Sequence, residues 1–159
     1  MKNTIKLIAL ALLMVSGLYH VSNAQTKSAK FPNAKSNAEW KKLLTDNQFY
    51  IMVEKGTEPP FKNAYFDNHQ KGTYVSAATG EPLFSSTDKF ESGTGWPSFV
   101  KPINPNAIMI VTDADGQRAE VIERKTGLHL GHVFDDGPAD RGGKRYCMNS
   151  GALKFIKQP

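Results

Sequence analysis

From Gly72 onward the chain is a succession of short apolar stretches, each cut off by turn residues, and this pattern limits the fold more than any other feature. The stretch "GTYVSAATGEPLF" sets two apolar arms around a turn at Ala78 to Glu81. "AIMIVTDADGQRAEVIE" sets two more around Asp115-Gly116, a dipeptide suited to a tight hairpin. "GLHLGHVF" and "RYCMNSGALKFI" are further strand candidates, separated by the glycine-rich "DDGPADRGGK". The pattern predicts a small antiparallel β domain.

Helices are expected only before this region. In "SNAEWKKLL", Ser36 can cap, Glu39 completes a capping box, and Trp40, Leu43 and Leu44 share a face. "QFYIMVEKG" fits a second short helix or a strand, and its period does not decide between them. Pro59 and Pro60 make "GTEPPFKNAYFDN" an extended loop.

The first 24 residues read as an export signal. Lys2 and Lys6 precede an apolar run, Leu7 to Leu18, and the small residues "SNA" end at Ala24. That run falls short of the ~20 residues of a spanning helix, which disfavours the alternative, an uncleaved anchor. The expected destination is the periplasm or cell envelope. Residues 25–35, "QTKSAKFPNAK", read as a flexible leader, and 36–159 as one domain. Of the formal net charge of +5, Lys2 and Lys6 contribute two, and the remaining basic residues are scattered. No Lys/Arg run interleaves with aromatics, so nucleic acid is not an expected partner.

Cys147 is the only cysteine among the 159 residues. A disulfide within the chain is excluded, and the thiol is either buried and inert or reactive. If Lys144 to Ala152 is extended, Arg145, Cys147 and Asn149 line one face, with Tyr146 and Met148 on the other. A guanidinium beside a thiol favours the thiolate, and Asn149 offers donors to a bound oxygen. His129 and His132 would lie on opposite faces of a regular strand, but Gly131 can supply a bulge that brings both to one side. Imidazoles beside a thiol suit general acid work, and Asp136 could orient one of them. Trp96, between Gly95 and Pro97, holds a flat apolar surface that would suit a methyl group.

Taken together, "GTEPPF", "GEPLF", "SGTGWPSF" and "GLHLGHVFDDGPADRGGKRYCMNSGALKF" resemble the B-type peptide methionine-R-sulfoxide reductases, over about Ser36 to Ile156. The resemblance implies a mainly β (α+β) fold of two antiparallel β-sheets with short N-terminal helices. It implies reduction of the R epimer of methionine sulfoxide in proteins, with Cys147 as nucleophile and Arg145 as its activating neighbour. His129, His132 and Asn149 would surround the sulfoxide, with Asp136 a supporting carboxylate and His132 the acid. Trp96, Phe99 and Phe134 would bind the substrate.

Two departures from the family pattern matter. Many members hold a structural zinc on two CxxC pairs, and those positions fall here on Ser76, Thr79, Glu123 and Thr126. No zinc or other cofactor is expected on such a set. Many members also carry a resolving cysteine where this chain has Thr94, so the reductant must be an external thiol, either a thioredoxin-like protein or a small thiol. A monomer acting on oxidised proteins is expected. A Cys-His hydrolase and a non-catalytic module binding oxidised methionine peptides are the competing readings.

Overall fold

The computed structural model describes residues 31–113 and 116–159; the segment expected as an export signal, most of the expected leader and residues 114 and 115 of the expected hairpin lie outside the described residues. Two short helices come first. α1 (Asn37–Leu43) starts at a capping box in which Ser36 and Glu39 exchange hydrogen bonds. α2 (Asp46–Met52) starts at a second one, formed by Thr45 and Gln48, which resolves the ambiguous "QFYIMVEKG" as helix. Trp40 and Leu44 are buried, but Leu43 is 63% exposed. Residues four apart stack on one face of a single helical turn, and the third position falls to its side.

Among the described residues nine strands follow: β1 (Gly72–Ser76), β2 (Pro82–Ser85), β3 (Lys89–Phe90), β4 (Ser98–Phe99), β5 (Ile108–Thr112), β6 (Ala119–Glu123), β7 (His129–Phe134), β8 (Arg145–Met148) and β9 (Leu153–Lys157). They form two sheets, ordered β2-β1-β9 and β3-β4-β8-β7-β6-β5. Every pairing is antiparallel. The core joins the sheets through Tyr74 and Phe84 on one side and Phe99, Leu130 and Met148 on the other, with Trp40, Phe49 and Met52 from the helices. Phe84 stacks on Phe99 at 4.5 Å and Tyr74 meets the same ring edge-on at 5.0 Å.

The segment expected as one strand from Lys144 to Ala152 is two elements. β8 ends at Met148, a 3₁₀ turn occupies Ser150–Ala152, and β9 then continues in the other sheet. The break arises because Glu58 draws the backbone of the turn out of line. Its carboxylate accepts from Ser150 N–H and, at 3.1 Å, from Gly151 N–H.

Part of the leader is also docked. Asn33 N–H donates to the Lys125 carbonyl at 2.8 Å, and the Phe31 ring covers Gly127. Phe31 and Asn33 thus pack on the β6–β7 turn.

The four residues at the expected zinc-ligand positions meet one another. Glu123, fully buried, accepts from Thr126 Oγ1 at 2.7 Å, Ser76 Oγ at 3.3 Å and Thr79 Oγ1. Three hydroxyls and one carboxylate, already bonded together, do not fit a structural zinc, which takes thiolate and imidazole ligands. Their arrangement links the β1–β2 turn of one sheet to the β6–β7 turn of the other through hydrogen bonds.

Candidate active site

Cys147 sits on β8, the strand between β4 and β7, with Ser98 opposite it on one side and His132 on the other. It opens into a cavity of about 140 Å³ lined by Trp96, His132, Phe134, Cys147 and Asn149, with Thr57 and Arg118 completing its edge. Such a volume admits the end of one side chain.

The bulge expected at Gly131 is present. Across β6, Val121 faces Gly131 and Ile122 faces His129, so Leu130 is an extra residue in β7. The rings of His129 and His132 consequently meet at 5.2 Å. Gly131 is also required by close approach, because a Cβ there would fall 2.2 Å from the Cys147 carbonyl oxygen.

The two histidines differ in role. His129 is 2% exposed and lies behind the cavity. Its Nδ1 is 2.8 Å from Glu120 Oε1, and its Nε2 is 3.5 Å from the Asn149 amide. Burial pushes its pKa below the ordinary value, outweighing Glu120, so the ring is neutral at neutral pH. The Glu120 charge is met instead by Lys55 Nζ at 2.7 Å. His132 lines the cavity, and its Nε2 is 2.8 Å from Asp113 Oδ2, an oxygen that also pairs with Arg118 at 2.6 Å.

Asp136 orients neither histidine. It grips Arg145 with both oxygens, at 2.8 Å to Nε and 2.8 Å to Nη2. The guanidinium also lies 4.4 Å above the Phe134 ring. That geometry bears on the thiol. Burial pushes the Cys147 pKa above its ordinary value, and Arg145, Thr94 and Ser98 oppose this without reversing it. Arg145 favours the thiolate, as expected from an adjacent guanidinium, but desolvation outweighs its pull and leaves the resting pKa raised.

Trp96 and Asn149 are fixed by one residue. The Trp96 indole N–H donates to the Glu58 carbonyl at 3.0 Å, and Glu58 N–H donates to Asn149 Oδ1 at 3.3 Å. Phe99, expected at the substrate, faces the opposite way and is fully buried in the core. Neighbouring residues of a strand point to opposite sides, and on β4 it is Ser98 that faces the thiol.

Sequence reasoning missed Glu58, Asp113, Arg118 and Glu120. The signal for Glu120 was present: an acid inside the apolar "AEVIE" must be buried with a partner or turned to water. Asp113 and Arg118 meet only because the β5–β6 hairpin closes, which residue types alone do not reveal.

A single thiol in a small apolar cavity, with an imidazole and an amide beside it and an indole as one wall, defines a two-sheet β protein of thiol chemistry. The chain belongs to the SelR domain family, whose model matches residues 44–157. It is 50% identical over 123 residues to "Peptide methionine sulfoxide reductase MsrB" of Methanosarcina barkeri (strain Fusaro / DSM 804), an alignment covering 76% of this chain and 86% of that protein.

Proposed function

We propose that this protein reduces the R epimer of methionine sulfoxide in oxidised proteins to methionine, with Cys147 as the nucleophile. The observation that carries the reading is that thiol, imidazole and indole line one cavity the size of a side-chain tip. Family membership supports the same activity.

A sulfoxide sulfur is a poor electrophile until its oxygen is protonated. His132 is suited to supply that proton: one ring nitrogen is held by Asp113, and the second N–H of the imidazolium is available to substrate. His129, neutral and buried, fixes the Asn149 amide rather than acting as the acid. Cys147 gives up its proton and bonds to the sulfoxide sulfur as the oxygen is protonated; the oxygen then passes to Cys147 as that transient S–S bond breaks, so methionine departs with the electron pair and Cys147 is oxidised to a sulfenic acid. Trp96 and Phe134 offer the substrate methyl an apolar surface. No step needs a metal or organic cofactor, and the sulfenic acid returns to the thiol through an external small thiol or thioredoxin-like protein. The N-terminal pattern of lysines, apolar run and small residues supports export to the periplasm or cell envelope, where a monomer would repair exported proteins.

The test is a single turnover without reductant. One equivalent of a peptide carrying the R-sulfoxide yields one methionine per enzyme and a dimedone adduct on Cys147, whereas the S epimer is untouched. Cys147→Ser yields none, since a hydroxyl supplies almost no alkoxide at neutral pH. Equal reduction of both epimers, or turnover by the serine variant, refutes the assignment.

A further inference from the structure

Three hydroxyls run alongside the thiol. Thr94 Oγ1 is 4.0 Å from Cys147 Sγ, Ser92 Oγ is 2.8 Å from Thr94 Oγ1, and Ser98 Oγ is 2.7 Å from Ser92 Oγ. The far end is anchored, because Ser98 Oγ donates to the Trp96 carbonyl at 3.3 Å. Ser98 is fully buried, while Ser92 and Thr94 are partly exposed. Thr94 occupies the position at which the resemblance places a resolving cysteine.

The three links among Cys147, Thr94, Ser92 and Ser98 each join groups that can donate or accept, so the string has two orientations. With Cys147 as a thiol, S–H faces Thr94, and donation runs through Ser92 and Ser98 to the Trp96 carbonyl. With sulfur as a thiolate, or carrying an oxygen, donation reverses: Ser98 turns from the carbonyl to Ser92, Ser92 donates to Thr94, and Thr94 donates toward the sulfur. Thr94 favours the ionised sulfur, in keeping with the second orientation. An oxygen on sulfur turned toward Thr94 comes within hydrogen-bond reach of its hydroxyl.

We propose that Thr94, Ser92 and Ser98 form a reversible hydrogen-bond string that resets Cys147, holding the sulfenic oxygen and delivering the proton with which it leaves. The proposal rests on the reductase reading. The donor is an external thiol. Its thiolate attacks Cys147 Sγ, an S–S bond forms and the S–O bond breaks, so Cys147 is reduced from sulfenic acid to mixed disulfide and the donor thiol is oxidised. The oxygen departs as water, carrying its own hydrogen and a proton from Thr94. Thr94 regains a proton through Ser92 from solvent, which had taken up the proton lost by the donor thiol. A hydroxyl string thus supports intermolecular reduction where a second cysteine would have closed a disulfide.

The experiment separates the two halves of the cycle. Enzyme is mixed with one equivalent of R-sulfoxide peptide, the methionine burst is timed, and dithiothreitol is then added to follow loss of the sulfenic acid. Thr94→Val slows sulfenic acid loss by about 100-fold, the scale of a lost general acid, and slows the burst much less. In that variant the second-phase rate, normalised to the dithiothreitol thiolate concentration, also rises as pH falls, since solvent must supply the proton. Thr94→Ser restores the wild-type rate, and Ser92→Ala, which leaves the Thr94 hydroxyl itself intact, reproduces the selective slowing. Proportional slowing of both phases by Thr94→Val, or a wild-type second phase in either Thr94→Val or Ser92→Ala, overturns the string. Absence of a burst from the wild-type enzyme overturns the reductase reading itself, a result distinct from these.

Discussion

A guanidinium lowers a neighbouring thiol's pKa only to the extent that its charge is not already balanced, and Arg145 is held by both oxygens of Asp136. The thiol is also desolvated, so its pKa lies above the ordinary value of 9.0. Alkylation of the free enzyme by iodoacetamide should therefore rise with pH through a midpoint above that value. Arg145→Met moves the midpoint higher by removing the opposing charge. Asp136→Asn moves it lower, since Arg145 then acts on the thiol with less compensation. A wild-type midpoint near neutrality, measured by the pH dependence of the alkylation rate, would contradict this account. The example also marks what residue types alone convey. The order Arg-x-Cys-x-Asn put three groups on one side of a strand, but the partner of Arg145 lies nine residues away across a loop. Phe99 failed for a related reason: its neighbour Ser98 faces the thiol, and a two-residue strand leaves no periodic pattern from which to read its facing.

The loop before β1 works as a clasp between elements. All polar groups of Glu58 are used: its N–H on Asn149, its carbonyl on the Trp96 indole, and its carboxylate on the turn after β8. Asn63 strengthens the clasp by donating to the Gly95 carbonyl at 2.7 Å and accepting from the Ser150 hydroxyl at 2.7 Å. Glu58→Gln replaces one acceptor with an amide NH₂ facing backbone donors, which costs about 1–3 kcal/mol. Its kcat/KM should fall about tenfold, since Trp96 and Asn149 lose their common support. A pH arm separates this from general damage. Burial raises the Glu58 pKa above the ordinary value of 4.5, against the two backbone donors. The folded state thus binds the proton more tightly than the unfolded chain, so this stabilisation is full below that value and is lost as pH rises through the raised one. The urea-measured stability gap between wild type and Glu58→Gln should narrow as pH rises through that window, and a constant gap would refute the assignment. Helix starts were legible because capping boxes are local. The crossing from β8 to β9 was not, since Glu58, which breaks the strand, is far away in sequence.

At the scale of the whole molecule, the question is how two sheets stay together on the set of residues at the zinc positions. The shared aromatic core supplies the apolar part, each buried ring contributing roughly 1.5–3 kcal/mol. At the turns, Glu123 receives Ser76, Thr79 and Thr126, and so ties the two sheets through hydrogen bonds. Hydrogen bonds to a charged acceptor are stronger than neutral ones, at about 1.5–3 kcal/mol, and a buried hub leaves each hydroxyl unsatisfied when it is removed. Purified protein should therefore contain no stoichiometric zinc, and its melting midpoint should be unmoved by a strong chelator. Glu123→Ala should lower stability by about 2–5 kcal/mol, an amount in the range of severe single substitutions, seen as a lower urea midpoint with an unchanged slope. The cavity lies on another part of the large sheet, so the folded variant should still release one methionine per enzyme. One zinc per chain by elemental analysis, or a melting midpoint that drops in chelator, would show that these side chains rearrange around a metal. A Glu123→Ala variant as stable as wild type would instead leave the aromatic core to hold the sheets alone.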